Sequence, residues 1–302
     1  MRAFITAKDK VLNNIKRIAS RYFKKLFFYK DAQFQWANTS TVVLQIRPIF
    51  APIMLAEIPF FSYAFLLAAG SALLLGISKA GIKGIAALIV TGLALVYGAK
   101  NSTGIMMPLL IGGDILAVSY YQRHVKWVYI KKLLPWMVFG VLLGVLGGNA
   151  ISEKTFTYSM VVIIIGSTFM MYYWEQQKTQ KVPSHWSFSG LMGVLAGFTT
   201  MVGNLAGAFA NIYFLAMRLP KNEFIGTAAW LFFIINVFKV PFHVLVWETI
   251  NWSSLKISAT LLPFVVLGFV LGVQIVKKIE NDNYRKLILL FTALGGVAIL
   301  FK

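Results

Sequence analysis

Long apolar runs recur along the chain, separated by short polar or glycine-rich breaks. Apolar segments fall at 59–76, 85–98, 103–121, 133–149 and 157–174. A polar linker follows, "EQQKTQKVPSHWS" at 175–187, and then segments at 188–202, 205–217, 224–246, 257–276 and 286–301. Several approach the ~20 residues that carry a helix across a bilayer. The ~10-residue alternating segments of a β-barrel are missing. The pattern therefore predicts an all-α polytopic membrane protein with eight to ten membrane segments. The stretch 40–58 carries Arg47, Pro48, Pro52 and Glu57 among its apolar residues and reads as interfacial or partly inserted.

Five segments, a linker and five more segments suggest a duplication. "LLPWMVFGVLLGV" at 133–145 matches "LLPFVVLGFVLGV" at 261–273 at eight of thirteen positions. Pro135, Gly140 and Gly144 fall on Pro263, Gly268 and Gly272, and Gly76 and Gly81 fall near Gly197 and Gly203. The expected organisation is a basic N-terminal extension over 1–58, a first transmembrane repeat over 59–174, the linker 175–187 and a second repeat over 188–302. Loop charge predicts that the repeats are inverted. Loop 122–132 holds Arg123, Lys126, Lys131 and Lys132, whereas its counterpart 247–256 holds Glu248 and Lys256. Loop 150–156 is neutral, with Glu153 and Lys154, whereas its counterpart 277–286 holds Lys277, Lys278, Arg285 and Lys286 against Glu280 and Asp282. Basic loops mark the cytoplasmic side, so opposite orientation of the halves makes them alternate. Counting back from a cytoplasmic 122–132 places residue 59 outside. A cytoplasmic N-terminus then requires 40–58 to cross or 85–98 to be re-entrant.

Composition agrees with the membrane reading. Of 302 residues, 58% are hydrophobic and only 13% charged, against 45–50% apolar and ~25% charged in soluble domains. The formal net charge is +19. It gathers in loops and in residues 1–30, which carry nine Lys/Arg and one Asp, so nucleic acid is not an expected partner. In the extension, Leu12, Ile15, Ile18, Tyr22 and Leu26 recur at helical spacing between basic residues. That stretch reads either as an amphipathic helix on anionic lipid or as a helix packed on the membrane part. No signal peptide is expected. The destination is a multi-pass place in the cell (inner) membrane.

Chemistry concentrates in "GISKAGIKG", residues 76–84. Its glycines interrupt a helix, and Lys79 and Lys83 put charge between two apolar segments. The matching stretch in the second half is "GFTTMVGNLAG", 197–207, with Gly203 and Asn204. Paired glycine-interrupted segments in two repeats point to a transporter binding site. A helix that starts inside the membrane offers free N–H groups and a positive dipole end to an anion. The expected substrate-binding set is Lys79, Gly81, Lys83, Gly84, Gly203 and Asn204. The alternative is a surface turn whose lysines reach the headgroups.

These features resemble the TauE/SafE family of sulfite exporters: the glycine-rich interruption early in each half, the apolar helix after it, and the basic loop before a GxxxG helix. The resemblance spans roughly 60–302. It implies a permease that exports sulfite, an organosulfonate or a related sulfur anion. Where the family carries a glycine cluster this chain has "AGIKG".

Ionisable residues at bilayer depth are functional candidates by default. Asp114, Asn236, Lys239 and His243 form the expected coupling or gating set. Asp114 either accepts a proton or pairs with Lys239, and His243 could couple proton movement to transport. Asn236 stands 122 residues after Asp114 and is its repeat equivalent. Asn204 and Asn211 could offer amides to the cavity, with interhelical bonding the main role for Asn211. Aromatic residues at segment ends, among them Trp127, Trp186, Trp247 and Trp252, form the interfacial belt. The sequence has no cysteine, no GxxxxGK[ST], no HExxH and no GxSxG. No cofactor, metal or enzymatic activity is therefore expected. A passive anion channel is the alternative to a carrier, as is a carrier for a different small anion.

Overall fold

The computed structural model describes residues 62–148 and 185–281, with single positions within 158–169 and 283–291. The N-terminal extension, the linker to residue 184, and most of the segments 157–174 and 286–301 lie outside the described residues. Eight α-helices, and no strand, are found among those described. They are α1 (Tyr63–Ala80), α2 (Ala86–Tyr97), α3 (Ala99–Tyr121), α4 (Trp127–Gly148), α5 (Trp186–Gly203), α6 (Ala206–Ala216), α7 (Lys221–Leu245) and α8 (Trp252–Lys277).

Six of them, α1, α3, α4, α5, α7 and α8, are long and apolar enough to cross a membrane. The other two are not. α2 has 12 residues and α6 has 11, roughly 18 Å and 16 Å of helix against ~30 Å of hydrocarbon. Each turns back along the helix before it. Gly92 of α2 lies against Ser71 of α1, and Phe188 of α5 stacks with Tyr213 of α6 at 6.0 Å between ring centroids. The expected breaks are thus the tips of two helical hairpins, α1–α2 and α5–α6.

Small residues bring the two halves together. A Cβ on Gly140 of α4 would strike the carbonyl oxygen of Val194 in α5, and one on Gly268 of α8 would strike that of Leu73 in α1. Likewise Gly197 of α5 abuts the Met137 carbonyl, and Gly76 of α1 abuts the Val265 carbonyl. Leu73 and Val194 are 121 residues apart, and Met137 and Val265 are 128 apart, as the repeat spacing requires. So α4 packs on α5 and α8 packs on α1 through equivalent contacts. Farther along, Leu133 meets Gly193 while Gly144 meets Met201, and Phe264 meets Phe65 while Gly272 meets Ala80, so each pair runs parallel. The central pair α3–α7 runs antiparallel, because Asp114 meets Asn236 while Tyr121 and His124 meet Gly226.

Helix ends are closed locally. Ser62 accepts from the Phe65 N–H at 3.1 Å, and Asn251 with Ser254 forms a capping box on α8. Trp127, Trp186 and Trp252 are exposed at helix starts, as an aromatic belt requires. Trp247 differs: it is buried and packs edge-on against His243, because residues 246–251 fold back over the end of α7.

A side chain at Gly140 or Gly268 must push a backbone aside. Gly140→Val and Gly268→Val should each lower stability in detergent by about 1–3 kcal/mol or more, read as a fall in melting temperature. Gly147 has open space beside it, so Gly147→Ala should melt with the parent.

Candidate functional site

The α1–α2 tip forms because Gly81, at φ 134°, and Gly84, at φ 99°, take backbone angles closed to most residues. The Gly81 N–H closes the last turn on Ser78 O at 3.2 Å. The next carbonyls have no helix to continue into, and two tyrosines satisfy them. The Tyr121 hydroxyl donates to Ala80 O at 2.8 Å, and the Tyr284 hydroxyl to Gly81 O at 2.6 Å. At the α5–α6 tip, Asn204 supplies the left-handed turn at φ 56°. No side chain caps the start of α2 at Ile85 or of α6 at Leu205.

A cavity of about 60 Å³ lies between the two tips. Both uncapped helix starts reach it, through Gly84 and Ala86 on one side and Ala206 and Gly207 on the other. Lys79, Lys83, Thr200, Asn204, Asn211 and Asn236 bring polar groups to its wall, and Phe232 brings a ring. At roughly 10–15 Å³ per water-sized sphere, it holds about four to six such spheres, the scale of a small inorganic anion.

Lys79 and Lys83 are 6% and 4% exposed, while Asp114 and Lys239 are fully buried. Asp114 receives Lys79 Nζ on one oxygen at 2.5 Å and Asn236 Nδ2 on the other at 2.7 Å. Lys239 donates to Thr200 O at 2.7 Å, Thr200 Oγ1 at 2.9 Å and Asn204 Oδ1 at 2.8 Å. Among the described residues Lys83 makes one hydrogen bond, to Ser78 O at 3.0 Å. Both Lys79 and Lys83 stand over the Phe232 ring, at 5.5 and 5.7 Å from its centroid. The buried centre thus gathers three lysines around one carboxylate.

Several expectations need correction. Asp114 pairs with Lys79, not with Lys239, because Lys239 points across to the α5 end. Lys79 lies in the last turn of α1 and not in the break, since the helix runs on to Ala80. The Asn204 amide gives one of its two N–H donors to Thr103 O at 3.1 Å and accepts from Lys239 on its oxygen. Gly81 and Gly203 shape the helix ends, while Gly84 lines the space. His243 lies apart from the cavity wall, with Nδ1 at 2.8 Å from Thr249 Oγ1. Asn211, expected to bond between helices, lines the cavity, and its buried Oδ1 has no partner among the described residues.

Thr200 and Phe232 were not among the expected site residues. Thr200 was within reach, because it follows Lys79 by the same 121 residues that separate Gly76 from Gly197.

Residues 66–299 match the family described as Sulfite exporter TauE/SafE. The chain belongs to the TauE/SafE family. It is a multi-pass membrane transporter of the sulfur-anion exporter type. No curated protein and no solved structure matches it.

The Lys79–Asp114 bond can be tested alone. Asp114→Asn leaves a buried ammonium without its carboxylate, a loss of about 3–5 kcal/mol. Thermal melting of Asp114→Asn, Lys79→Met and the double variant should show the double variant less destabilised than the sum of the singles. Additive losses would argue against the pair as the dominant contact.

Proposed function

We propose that the cavity between the hairpin tips binds the transported anion, with Lys83 as its main partner. The observation that carries this reading is the charge count of the buried centre. Lys79 is neutralised by Asp114, and Lys239 is solvated by three oxygens. Among the described residues Lys83 has a single carbonyl acceptor, which leaves ammonium N–H groups to donate. A buried charge without compensation is costly, and an anion beside Lys83 removes that cost. The free N–H groups at the starts of α2 and α6 add partial positive charge from both sides.

The substrate is then a small sulfur oxyanion such as sulfite. A compact organosulfonate requires the cavity to widen. The two halves lie inverted in the cell membrane, which the antiparallel α3–α7 pair supports. The end of the molecule that carries Arg123, Lys126, Arg218 and Lys277 faces the cytoplasm, following the charge rule for loops. Transport is by alternating access, because on that side the Tyr121 and Tyr284 hydrogen bonds fasten the α1 tip. If flux responds to a proton gradient, His243 is the group to carry the coupling, one helical turn from Lys239 and with Nε2 unpartnered among the described residues.

Purified protein in liposomes should move sulfite saturably, and sulfite on the far side should accelerate its exit, which a channel would not show. Lys83→Gln should reduce flux by roughly 10- to 100-fold, the worth of one or two lost charge-assisted hydrogen bonds, while melting near the parent. Unchanged flux in Lys83→Gln would place the substrate elsewhere.

A further inference from the structure

A second cavity, of about 110 Å³, lies where α3 and α8 begin. Its wall includes Tyr97, Asn101, Thr249, Asn251, Ser253 and Ser254. No charged residue lines it, and every polar group in that set is an amide or a hydroxyl. Tyr97 is 7% exposed, and its hydroxyl bonds no described residue. A tyrosine hydroxyl is a hydrogen-bond donor, so the cavity holds an unused donor on a nearly buried side chain.

Buried polar residues lie between this cavity and the central one. Asn204, on the central wall, accepts from Lys239 at 2.8 Å. His243 follows Lys239 by one helical turn and meets Thr249, on the second wall, at 2.8 Å. Along α3, Met106 lines the central cavity and Ile105 the second. The opposite end of the molecule differs. There the residues 122 positions before Lys239 and His243 are Ala117 and Tyr121. Ala117 is buried and apolar, and the Tyr121 hydroxyl is fastened to Ala80 O. Polar groups lead away from the central site toward the second cavity and stop at the tyrosines on the other side.

We propose that the second cavity is a relay site for the transported anion, a weaker neutral station between the central lysines and the aqueous phase. The proposal rests on the anion-transport reading above. Neutral hydroxyl and amide donors hold an anion less firmly than ammonium groups do. An anion that leaves Lys83 therefore meets a graded descent in affinity rather than one large step. The station's donors are the Tyr97 and Ser253 hydroxyls and the Asn101 amide.

Sulfite is the probe. In right-side-out and inside-out membrane vesicles of the full chain, Asn101→Leu with Ser253→Val should raise the sulfite KM about tenfold on the face that opens to the second cavity. KM on the basic face should be unchanged. Asn101→Gln, which keeps an amide, should restore most of the affinity. Calorimetric titration of the detergent-purified protein should show two sites, the tighter removed by Lys83→Gln and the weaker by the double variant. A KM that rises equally on both faces, or a single-site titration of the parent that the double variant leaves unchanged, overturns the relay site. A parent protein that moves no sulfite overturns the transport reading itself, and the relay with it.

Discussion

One buried carboxylate organises the centre of this protein. Asp114 meets Lys79 from α1 with one oxygen and Asn236 from α7 with the other. It therefore ties the first hairpin to the helix pair through which the halves meet. Without it, Lys79 would be a bare ammonium in a site that already holds Lys83 and Lys239, and like charges would force the tips apart. With it, one lysine is neutralised in place and a second is left with donors to spare. The distinction between a structural cation and a ligand-binding cation follows from where this single negative charge sits.

The fold around that centre depends on close backbone approach. Lipid offers helices no hydrophobic drive to associate, so packing at short range must supply it. Gly140, Gly268, Gly197 and Gly76 let carbonyl oxygens of the partner helix enter the space of a missing side chain. These contacts obey the repeat spacing, so each half builds its outer helix onto the other half's hairpin. Neither hairpin is completed by its own repeat. The interruption of α1 and α5 at depth is tolerated because the freed carbonyls find partners inside the protein: Tyr121 and Tyr284 at one tip, Lys239 at the other.

Much of this was legible in the sequence. Periodic apolar runs gave the helices to within a few residues, and the glycine-rich stretches at 76–84 and 197–207 marked both hairpin tips. Repeat matching through Pro135 and Pro263 aligned Gly140 with Gly268 but did not say which helix each glycine meets. Side-chain pairing was less legible. Asp114 has three lysines within plausible reach in sequence terms, and the choice of Lys79 over Lys239 depends on how α1 lies against α3. Nothing along the chain records that. Asn204 read as a free amide because its neighbours are apolar, yet Thr103 of the other half takes one of its two N–H donors. Trp247 read as a belt residue because it sits at a segment end, but the fold-back of 246–251 buries it.

The departures from symmetry have a physical cause. Asp114 and Asn236, 122 residues apart in the chain, are in hydrogen-bond contact across the halves. A faithful duplication would place two carboxylates at that distance, and like charges about 3 Å apart cannot both ionise. Asparagine at position 236 supplies a neutral N–H donor there, a bond that an ionised carboxylate cannot make. The same pressure acts on the cations. Lys79 and Lys83 are matched by Thr200 and Asn204, and Lys239 is matched by Ala117. Full duplication of all three lysines would crowd six ammonium groups around a cavity of about 60 Å³. A site formed where two equivalent halves meet must therefore be chemically unequal, with the carboxylate and two lysines drawn from one half and the acceptors that hold the third drawn from the other.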